Sequence, residues 1–135
     1  MSLSPYLHFD GTCEQALRFY AAVFGDPAPQ FMAYDQMPDA APNGGAGRIL
    51  HGQVVVAGGL LLASDTPPGM PADPQAGVSI SADLPDEARA RAAFDRLAEG
   101  GEILMPFEAT FFSPGFGMVK DRFGTHWMVS ISEAA

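Results

Sequence analysis

The sequence predicts an α+β fold in which one βαβββ module is followed by a second. Two amphipathic segments predict helices, a short apolar run precedes each of them, and three further strand-like runs follow each. The chain has 135 residues, the length of one domain. We therefore expect residues 1–135 to form one domain, built of modules 1–65 and 77–135 that the loop 66–76 joins.

The first module begins with the apolar run Leu3–Phe9, and its helix is expected from Thr12 to about Phe24. Apolar residues spaced i, i+3, i+4 and i+7 form the stripe of this helix. They are Ala16, Phe19, Tyr20 and Val23. Thr12 with Gln15 fits a capping box, and Gly25 stands where a left-handed residue ends a helix. The three strand-like runs that follow are Gln30–Tyr34, Gly47–Ala57 and Leu60–Ser64.

The second module repeats this order from the run Val78–Ala82 onward. Its helix is expected from about Pro85, which suits a first helical turn, to Glu99. The apolar stripe of this helix consists of Ala90, Phe94 and Leu97. The strand-like runs that follow are Glu102–Phe107, Phe116–Lys120 and Thr125–Ile131. Gly58-Gly59 in the first module and Asp121–Gly124 in the second predict tight hairpin turns.

Composition excludes several classes of function. Seven basic residues against sixteen acidic ones give a formal net charge of −9, which argues against binding nucleic acid or an anionic membrane. The one cysteine, Cys13, excludes an internal disulfide and a thiolate-rich metal site, although its place at a helix start could lower its pKa. No apolar run is long enough to span a membrane and no signal peptide is visible, so we expect a cytoplasmic protein.

Four stretches of the sequence carry a resemblance to a known family. They are PYLHFDGTCEQALRFYAAVFG (Pro5–Gly25), LHGQVVVAGGLLLASD (Leu50–Asp65), LAEGGEILMPFEATFF (Leu97–Phe112) and FGMVKDRFGTHWMVS (Phe116–Ser130). In these stretches the chain resembles the vicinal oxygen chelate superfamily of glyoxalase I, bleomycin-resistance proteins and extradiol dioxygenases. More narrowly, it resembles the PhnB-like branch, which is often labelled 3-demethylubiquinone 3-methyltransferase-like.

The resemblance implies a glyoxalase-like fold, in which the paired modules form a curved mixed sheet around a central cleft, and a homodimer. One departure lies at the expected rim of the cleft, where Phe112-Ser113 replaces the Trp-Gly that branch members commonly carry. The residues do not support the methyltransferase label. The glycine-rich stretch Gly44–Gly47 precedes a strand and opens no helix, whereas a typical S-adenosylmethionine enzyme needs a glycine-rich turn after the first strand of a doubly wound sheet.

Metal-dependent members of the superfamily take His or Glu ligands from four strands, two in each module. Carried over by position, these ligands fall near Ser4, Leu62 or Ala63, the Ala76–Val78 stretch, and Met128, none of which is a His or a carboxylate. We therefore expect no metal and no other cofactor. The alternative is an unusual divalent-metal site, in which the three histidines gather a metal together with Glu108 or Asp65.

Strand alternation and the resemblance together select candidate ligand-binding residues. Alternation places polar or aromatic side chains on one face of three strands, and the resemblance directs that face toward the cleft. With Phe112 added from the expected rim of the cleft, the candidates are Tyr6, His8, His51, Gln53, Phe112, His126 and Met128. The alternative for each histidine is a half-buried residue that only satisfies its own hydrogen bonds.

Three functions remain open after these observations. The first is a metal-free protein that binds a small apolar or aromatic molecule in the cleft between the modules, as resistance proteins of the superfamily do. The second is a lyase or isomerase that uses a metal or one of the histidines as a base. The third is an interaction module that only dimerises or docks. We expect small-molecule binding.

Overall fold

A computed structural model describes residues 2–33, 48–67 and 69–132 of the chain. The chain divides into two compact units, Met1–Asp73 and Pro74–Ala135. Each unit contains one helix and one four-stranded mixed sheet, which confirms the predicted α+β class. Within the described ranges, no helix is long and apolar enough to cross a membrane.

The first unit has the predicted βαβββ order. Its elements are β1 (Tyr6–Phe9), α1 (Cys13–Phe24), β2 (Gln30–Ala33), β3 (Ile49–Val56) and β4 (Gly59–Asp65). The strands lie in the order β1-β4-β3-β2, with β1 parallel to β4 and the other pairs antiparallel. The predicted strand ends Tyr34 and Gly47 fall outside the described residues.

Helix α1 covers one face of the first sheet, where it contacts β3 and β4. This face needs a glycine, because a Cβ at Gly52 would come within 2.9 Å of Leu17 and 3.0 Å of Phe31. The predicted stripe is buried except at Val23, which is half-buried. Gly25 ends the helix in the left-handed conformation, as predicted. The opposite face of the sheet therefore stays uncovered by the unit's own helix.

The predicted capping box at the start of α1 is wrong, because the Thr12 side chain makes no capping hydrogen bond. The buried carboxylate of Asp65, at the end of β4, takes over this role. Its Oδ1 accepts hydrogen bonds from the backbone N–H groups of Gly11 at 2.8 Å and Cys13 at 3.0 Å, and its Oδ2 accepts one from Ile49 at 2.8 Å. A charged acceptor binds such donors more strongly than a hydroxyl does.

The second unit repeats the order of the first. Its elements are β5 (Ile80–Leu84), α2 (Glu87–Ala98), β6 (Glu102–Glu108), β7 (Phe116–Lys120) and β8 (His126–Ile131). The strands lie in the order β5-β8-β7-β6, again with one parallel pair, β5 and β8. The predicted stripe of Ala90, Phe94 and Leu97 is buried. The unit thus reproduces the topology of the first with a different sequence.

The start of α2 lies two residues later than predicted. Asp86 is the N-cap, and its side chain accepts a hydrogen bond from the backbone N–H of Arg89 at 2.8 Å. Pro85 therefore precedes the cap instead of forming the first turn. The strand before it also begins and ends later than predicted, since Val78 is exposed and the pairing with β8 starts at Ile80.

Both predicted hairpins are present. In the first unit the turn residues are Ala57 and Gly58, one position earlier than predicted, and both have positive φ, as a type I′ turn requires. In the second unit the buried Asp121 organises the turn. It accepts hydrogen bonds from the N–H groups of Phe123 at 2.8 Å and Thr125 at 3.0 Å, and from the Trp127 indole at 2.9 Å.

Candidate functional site

The uncovered face of the first sheet holds four of the predicted site residues. Along β1 the burial alternates as predicted, with Leu7 and Phe9 buried against the helix side and Tyr6 and His8 exposed. We call the uncovered side the first open face. Its described strand residues are Tyr6, His8, Gln30, Met32, His51, Gln53, Val55, Leu60, Leu62 and Ser64.

Three aromatic rings meet on this face. The Tyr6 hydroxyl is hydrogen-bonded to Nδ1 of His51 at 3.2 Å. The ring centroid of Tyr6 lies 5.2 Å from that of His8 and 5.8 Å from that of His51. Because β4 lies between β1 and β3, the tyrosine reaches across β4 to make this contact. We call Tyr6, His8 and His51 the ring cluster.

The other end of the first open face is apolar. Val55 on β3 is paired with Leu60 on β4, and their side chains are 48% and 41% exposed. A cavity of about 150 Å³ opens beside them. It is lined by Pro27, Ala28, Gln30, Gln53, Val54, Val55 and Leu60. The first open face therefore changes from polar to apolar along the strand direction, and Gln53 lies between the two ends.

The sheet of the second unit has an open face of its own, opposite α2. Trp127 and Val129 of β8 are buried, whereas His126 and Met128 are half-buried, as alternation predicts. We call this side the second open face. Met128 is paired with Ser81 on one side and Met118 on the other. The further residues on this face are Asp83, Glu102, Met105, Glu108, Phe116, Lys120 and Ser130.

Two charged arrangements mark the second open face. The Ser130 hydroxyl donates a hydrogen bond to the carboxylate of Asp83 on the neighbouring strand. Glu102, Lys120 and His126 follow one another across β6, β7 and β8. This face therefore combines carboxylates with thioethers, and it differs in chemistry from the first open face.

Phe112 lies in the loop between β6 and β7. Its ring packs edge to face against Phe111 at 5.2 Å and against Phe116 at 5.0 Å. The hydroxyl of Thr110 accepts hydrogen bonds from the N–H groups of Phe112 and Ser113, which fixes the loop. Phe111 is fully exposed, and Phe112 is half exposed. The loop thus presents two phenyl rings to its surroundings.

The structure groups the predicted residues within each unit. In the first unit Tyr6, His8 and His51 are in contact, and Gln53 lies two residues along β3 from His51. In the second unit His126 and Met128 share a face. The prediction missed Val55 and Leu60, which line the apolar end. Alternation along β3 could have found Val55, since it continues the series from His51 and Gln53.

The donor set at the superfamily's metal positions does not fit a divalent metal. Leu62 is paired with Tyr6 on β1, and Met128 is paired with Ser81 on β5. Alkyl, phenol, hydroxyl and thioether groups are poor ligands for the hard or borderline metals of this chemistry. Over residues 2–33, 48–67 and 69–132, no three His, Cys, Asp or Glu side chains form a group able to hold a metal.

The alternative metal site that included Asp65 is wrong. The carboxylate of Asp65 is 1% exposed and accepts three backbone hydrogen bonds on the helix side of the sheet. It therefore faces away from His8 and His51. The alternative that the helix start lowers the pKa of Cys13 is also wrong: burial, together with the charges of Asp65 and Glu14, raises the pKa of its thiol to about 12. Desolvation outweighs the helix N-terminus, and the thiol stays protonated.

Comparison with known proteins places these features in a family. Residues 1–130 match the family model described as 3-demethylubiquinone-9 3-methyltransferase. Protein YjdN of Escherichia coli K12 is 33% identical, over 97% of this chain and 95% of its own. The crystal structure of protein PA1353 from Pseudomonas aeruginosa is 35% identical and superposes with a TM-score of 0.88, over 99% of each chain.

More distant solved structures share the fold. A putative 3-demethylubiquinone-9 3-methyltransferase, PhnB protein, from Bacillus cereus is 23% identical with a TM-score of 0.78, over 98% of this chain and 100% of its own. A glyoxalase-related enzyme from Fulvimarina pelagi is 16% identical with a TM-score of 0.60, over 98% and 88%. The fosfomycin resistance protein FosX from Mesorhizobium loti is 10% identical with a TM-score of 0.58, over 98% and 92%. These likenesses confirm the predicted glyoxalase-like fold.

Proposed function

The chain belongs to the 3-demethylubiquinone-9 3-methyltransferase family, the PhnB-like branch of the vicinal oxygen chelate superfamily, and from this premise we propose that it binds a small, apolar or aromatic molecule without a metal. The ligand is proposed to occupy the cleft that the superfamily forms between its modules, in a cytoplasmic homodimer. The proposed ligand-binding residues are Tyr6, His8, His51, Gln53, Phe112, His126 and Met128.

The observation that carries this proposal is the first open face. This face has an apolar end, with a cavity of about 150 Å³, and a polar end formed by the ring cluster. Binding sites for small molecules combine mostly apolar lining with a few placed polar groups, which fix the orientation of the ligand. A cavity of this volume has room for a group the size of benzene.

Methyl transfer has no support in the fold. Each sheet has a single parallel pair of strands, and the chain passes from β1 to α1 through Asp10, Gly11 and Thr12. A typical S-adenosylmethionine enzyme instead uses a doubly wound parallel sheet with a glycine-rich turn before its first helix. The family's description therefore does not supply the activity that we propose for this chain.

A lyase or isomerase that uses a histidine as its base is the second candidate. It is favoured by the hydrogen bond between Tyr6 and His51, because a base that a neighbouring group orients is better placed for proton transfer. The metal-dependent form of this candidate is not favoured, since the donor set does not fit. Catalysis can be distinguished from binding by incubating a bound compound with the protein in deuterated water. A histidine base would exchange a proton of the compound for deuterium, whereas binding alone would not.

The proposal is tested on protein purified without chelators or a metal-affinity tag. We expect metal below about a tenth of an equivalent, with no gain in thermal stability on addition of zinc, nickel, manganese or iron. Aromatic and apolar compounds should raise the midpoint of thermal unfolding, because a ligand that prefers the native state stabilises it. A stoichiometric metal, or no stabilising compound in a broad panel, would contradict the proposal.

The variant His126→Ala sharpens this test. We expect it to weaken binding of the stabilising compounds about threefold, the effect of losing one exposed hydrogen bond, while the unfolding midpoint without ligand stays the same. Arg89→Gln, on the exposed surface of α2, is the matched control and should bind like the parent. Loss of a metal that the parent retains would instead favour a metal-dependent enzyme.

A further inference from the structure

We infer that the polar end of the ligand is the oxyanion of an organic acid, bound by the ring cluster of Tyr6, His8 and His51. This inference rests on the proposed function, and it adds the chemical class of the ligand. It follows from the charges on the first open face, the hydrogen-bond donors of the ring cluster, and the distance from this cluster to the apolar cavity.

The described strand residues of the first open face carry no negative charge, unlike the chain as a whole. The sequence has sixteen Asp and Glu residues, yet none of the described residues of β1, β2, β3 and β4 places a carboxylate on this face. The ionisable side chains there are those of the ring cluster. By contrast, the second open face carries three carboxylates, those of Asp83, Glu102 and Glu108. A face without carboxylates does not repel an anion at contact distance.

The ring cluster offers hydrogen-bond donors to such an anion. A neutral imidazole has one N–H donor and an imidazolium has two, so each histidine can donate to an oxyanion in either state. When the Tyr6 hydroxyl donates to Nδ1 of His51, the ring proton lies on Nε2, which can then donate to the ligand, and Tyr6 acts by orienting the imidazole. Hydrogen bonds to an ionised acceptor are shorter and stronger than neutral ones. The cluster should therefore prefer an acid to its neutral analogue.

The distance along β3 gives the length of the ligand. Val55, beside the apolar cavity, and His51, in the ring cluster, are four residues apart on this strand. At 3.3 Å per residue they are separated by about 13 Å. A benzene-sized group in the cavity would thus be joined to the acid by a chain of about five carbons. The structure points to an arylalkanoic acid, with the apolar part across Leu60 and Leu62.

Isothermal titration calorimetry on the full chain tests this inference with three probes. These are 6-phenylhexanoate, its neutral amide 6-phenylhexanamide, and the short acid benzoate. We expect 6-phenylhexanoate to bind about tenfold more tightly than the amide, because it replaces a neutral acceptor by a charged one. Benzoate should also bind about tenfold more weakly, since it cannot reach both ends of the face.

Two variants attribute the preference to the ring cluster. Tyr6→Phe keeps the ring and removes only the hydroxyl, and His51→Gln removes the imidazole. Each should lower the affinity for 6-phenylhexanoate about fivefold and the affinity for the amide by a smaller factor, whereas Arg89→Gln should change neither. The unfolding midpoint of each variant is measured alongside, so that a loss of fold is recognised.

The outcomes separate this inference from the proposed function. If the acid and the amide bind equally, or if both variants keep the parent's preference for the acid, the inference is wrong and the binding function stands. If the probes fail while other apolar compounds bind, the inference is also wrong. If no compound of the whole panel binds, the proposed function itself fails.

Discussion

The two units pair their strands in the same order, β1-β4-β3-β2 and β5-β8-β7-β6, but their open faces carry different chemistry. The first open face combines imidazole, phenol, amide and alkyl groups, without a carboxylate among its described strand residues. The second combines carboxylates, an ammonium group and thioethers. The helix sides, by contrast, are mostly apolar in both units, with the buried Asp65 as an exception in the first. The shared order thus specifies a scaffold, and the two units differ in the side-chain chemistry of their open faces.

The helix starts differ between the units as well. Helix α1 begins at a buried residue, Cys13, and Asp65 caps it from a distant strand. Helix α2 begins at an exposed position and is capped by Asp86, the residue immediately before it. The start of α1 is therefore part of the core of its unit, whereas the start of α2 is a surface feature. Three predictions follow from this contrast.

The largest expected effect comes from the buried aspartates. Asp65→Asn and Asp121→Asn each turn an amide N–H₂ toward buried donors, so each should lower the free energy of unfolding by about 3 kcal/mol. Urea titration measures the loss, with the exposed Asp73→Asn as the control. Losses below about 1 kcal/mol for either variant would show that its carboxylate does not hold the scaffold together.

The decrease in the free energy of unfolding at alkaline pH should come from Cys13, in the first unit. Burial, with the charges of Asp65 and Glu14, raises the pKa of Cys13 from 9.0 to about 12, so the unfolded chain releases this proton first. Between these values, stability should fall by about 1.4 kcal/mol per pH unit as pH rises. In Cys13→Ala this contribution should vanish. A pH profile from urea titrations with the same alkaline slope in parent and variant would contradict it.

The smallest effects distinguish the two caps. Asp86→Ala should lower the free energy of unfolding by about 1 kcal/mol, because the first turn of α2 loses its side-chain acceptor. Thr12→Ala should lower it by less than about 0.5 kcal/mol, since Asp65 already accepts the donors near α1. Thermal unfolding of the two variants, compared in one buffer, measures the difference. A larger loss of stability in Thr12→Ala than in Asp86→Ala would contradict the difference between the two helix starts.

Local patterns predicted most of the fold. Apolar spacing located both helices, and alternation assigned the faces of β1, β3 and β8 correctly. The predicted boundaries of helices and strands were wrong where a residue distant in the sequence determines them. The first strand begins at Tyr6 instead of Leu3, because its pairing with β4 begins there. The cap of α1 was missed for a similar reason, since Asp65 lies 52 residues from Cys13 in the sequence.

The candidate site was predictable only in part. Alternation placed Tyr6, His8 and His51 on one side of their strands, but their contact depends on the order of the strands in the sheet. With β4 between β1 and β3, a side chain as long as that of Tyr6 is needed to reach His51. No local pattern contains that information. The same holds for the cavity beside Leu60, which residues from three separate segments line.

We propose that the first open face binds the ligand, and methyl resonances report on each face separately. A ¹³C–¹H spectrum of protein labelled at Val, Leu and Met methyl groups would be recorded during titration with 6-phenylhexanoate. We expect the largest saturable shifts at the methyl groups of Val55, Leu60 and Leu62. The opposite result would contradict binding at the first open face: saturable shifts confined to Met105, Met118 and Met128 of the second open face, with no shift at Val55, Leu60 and Leu62.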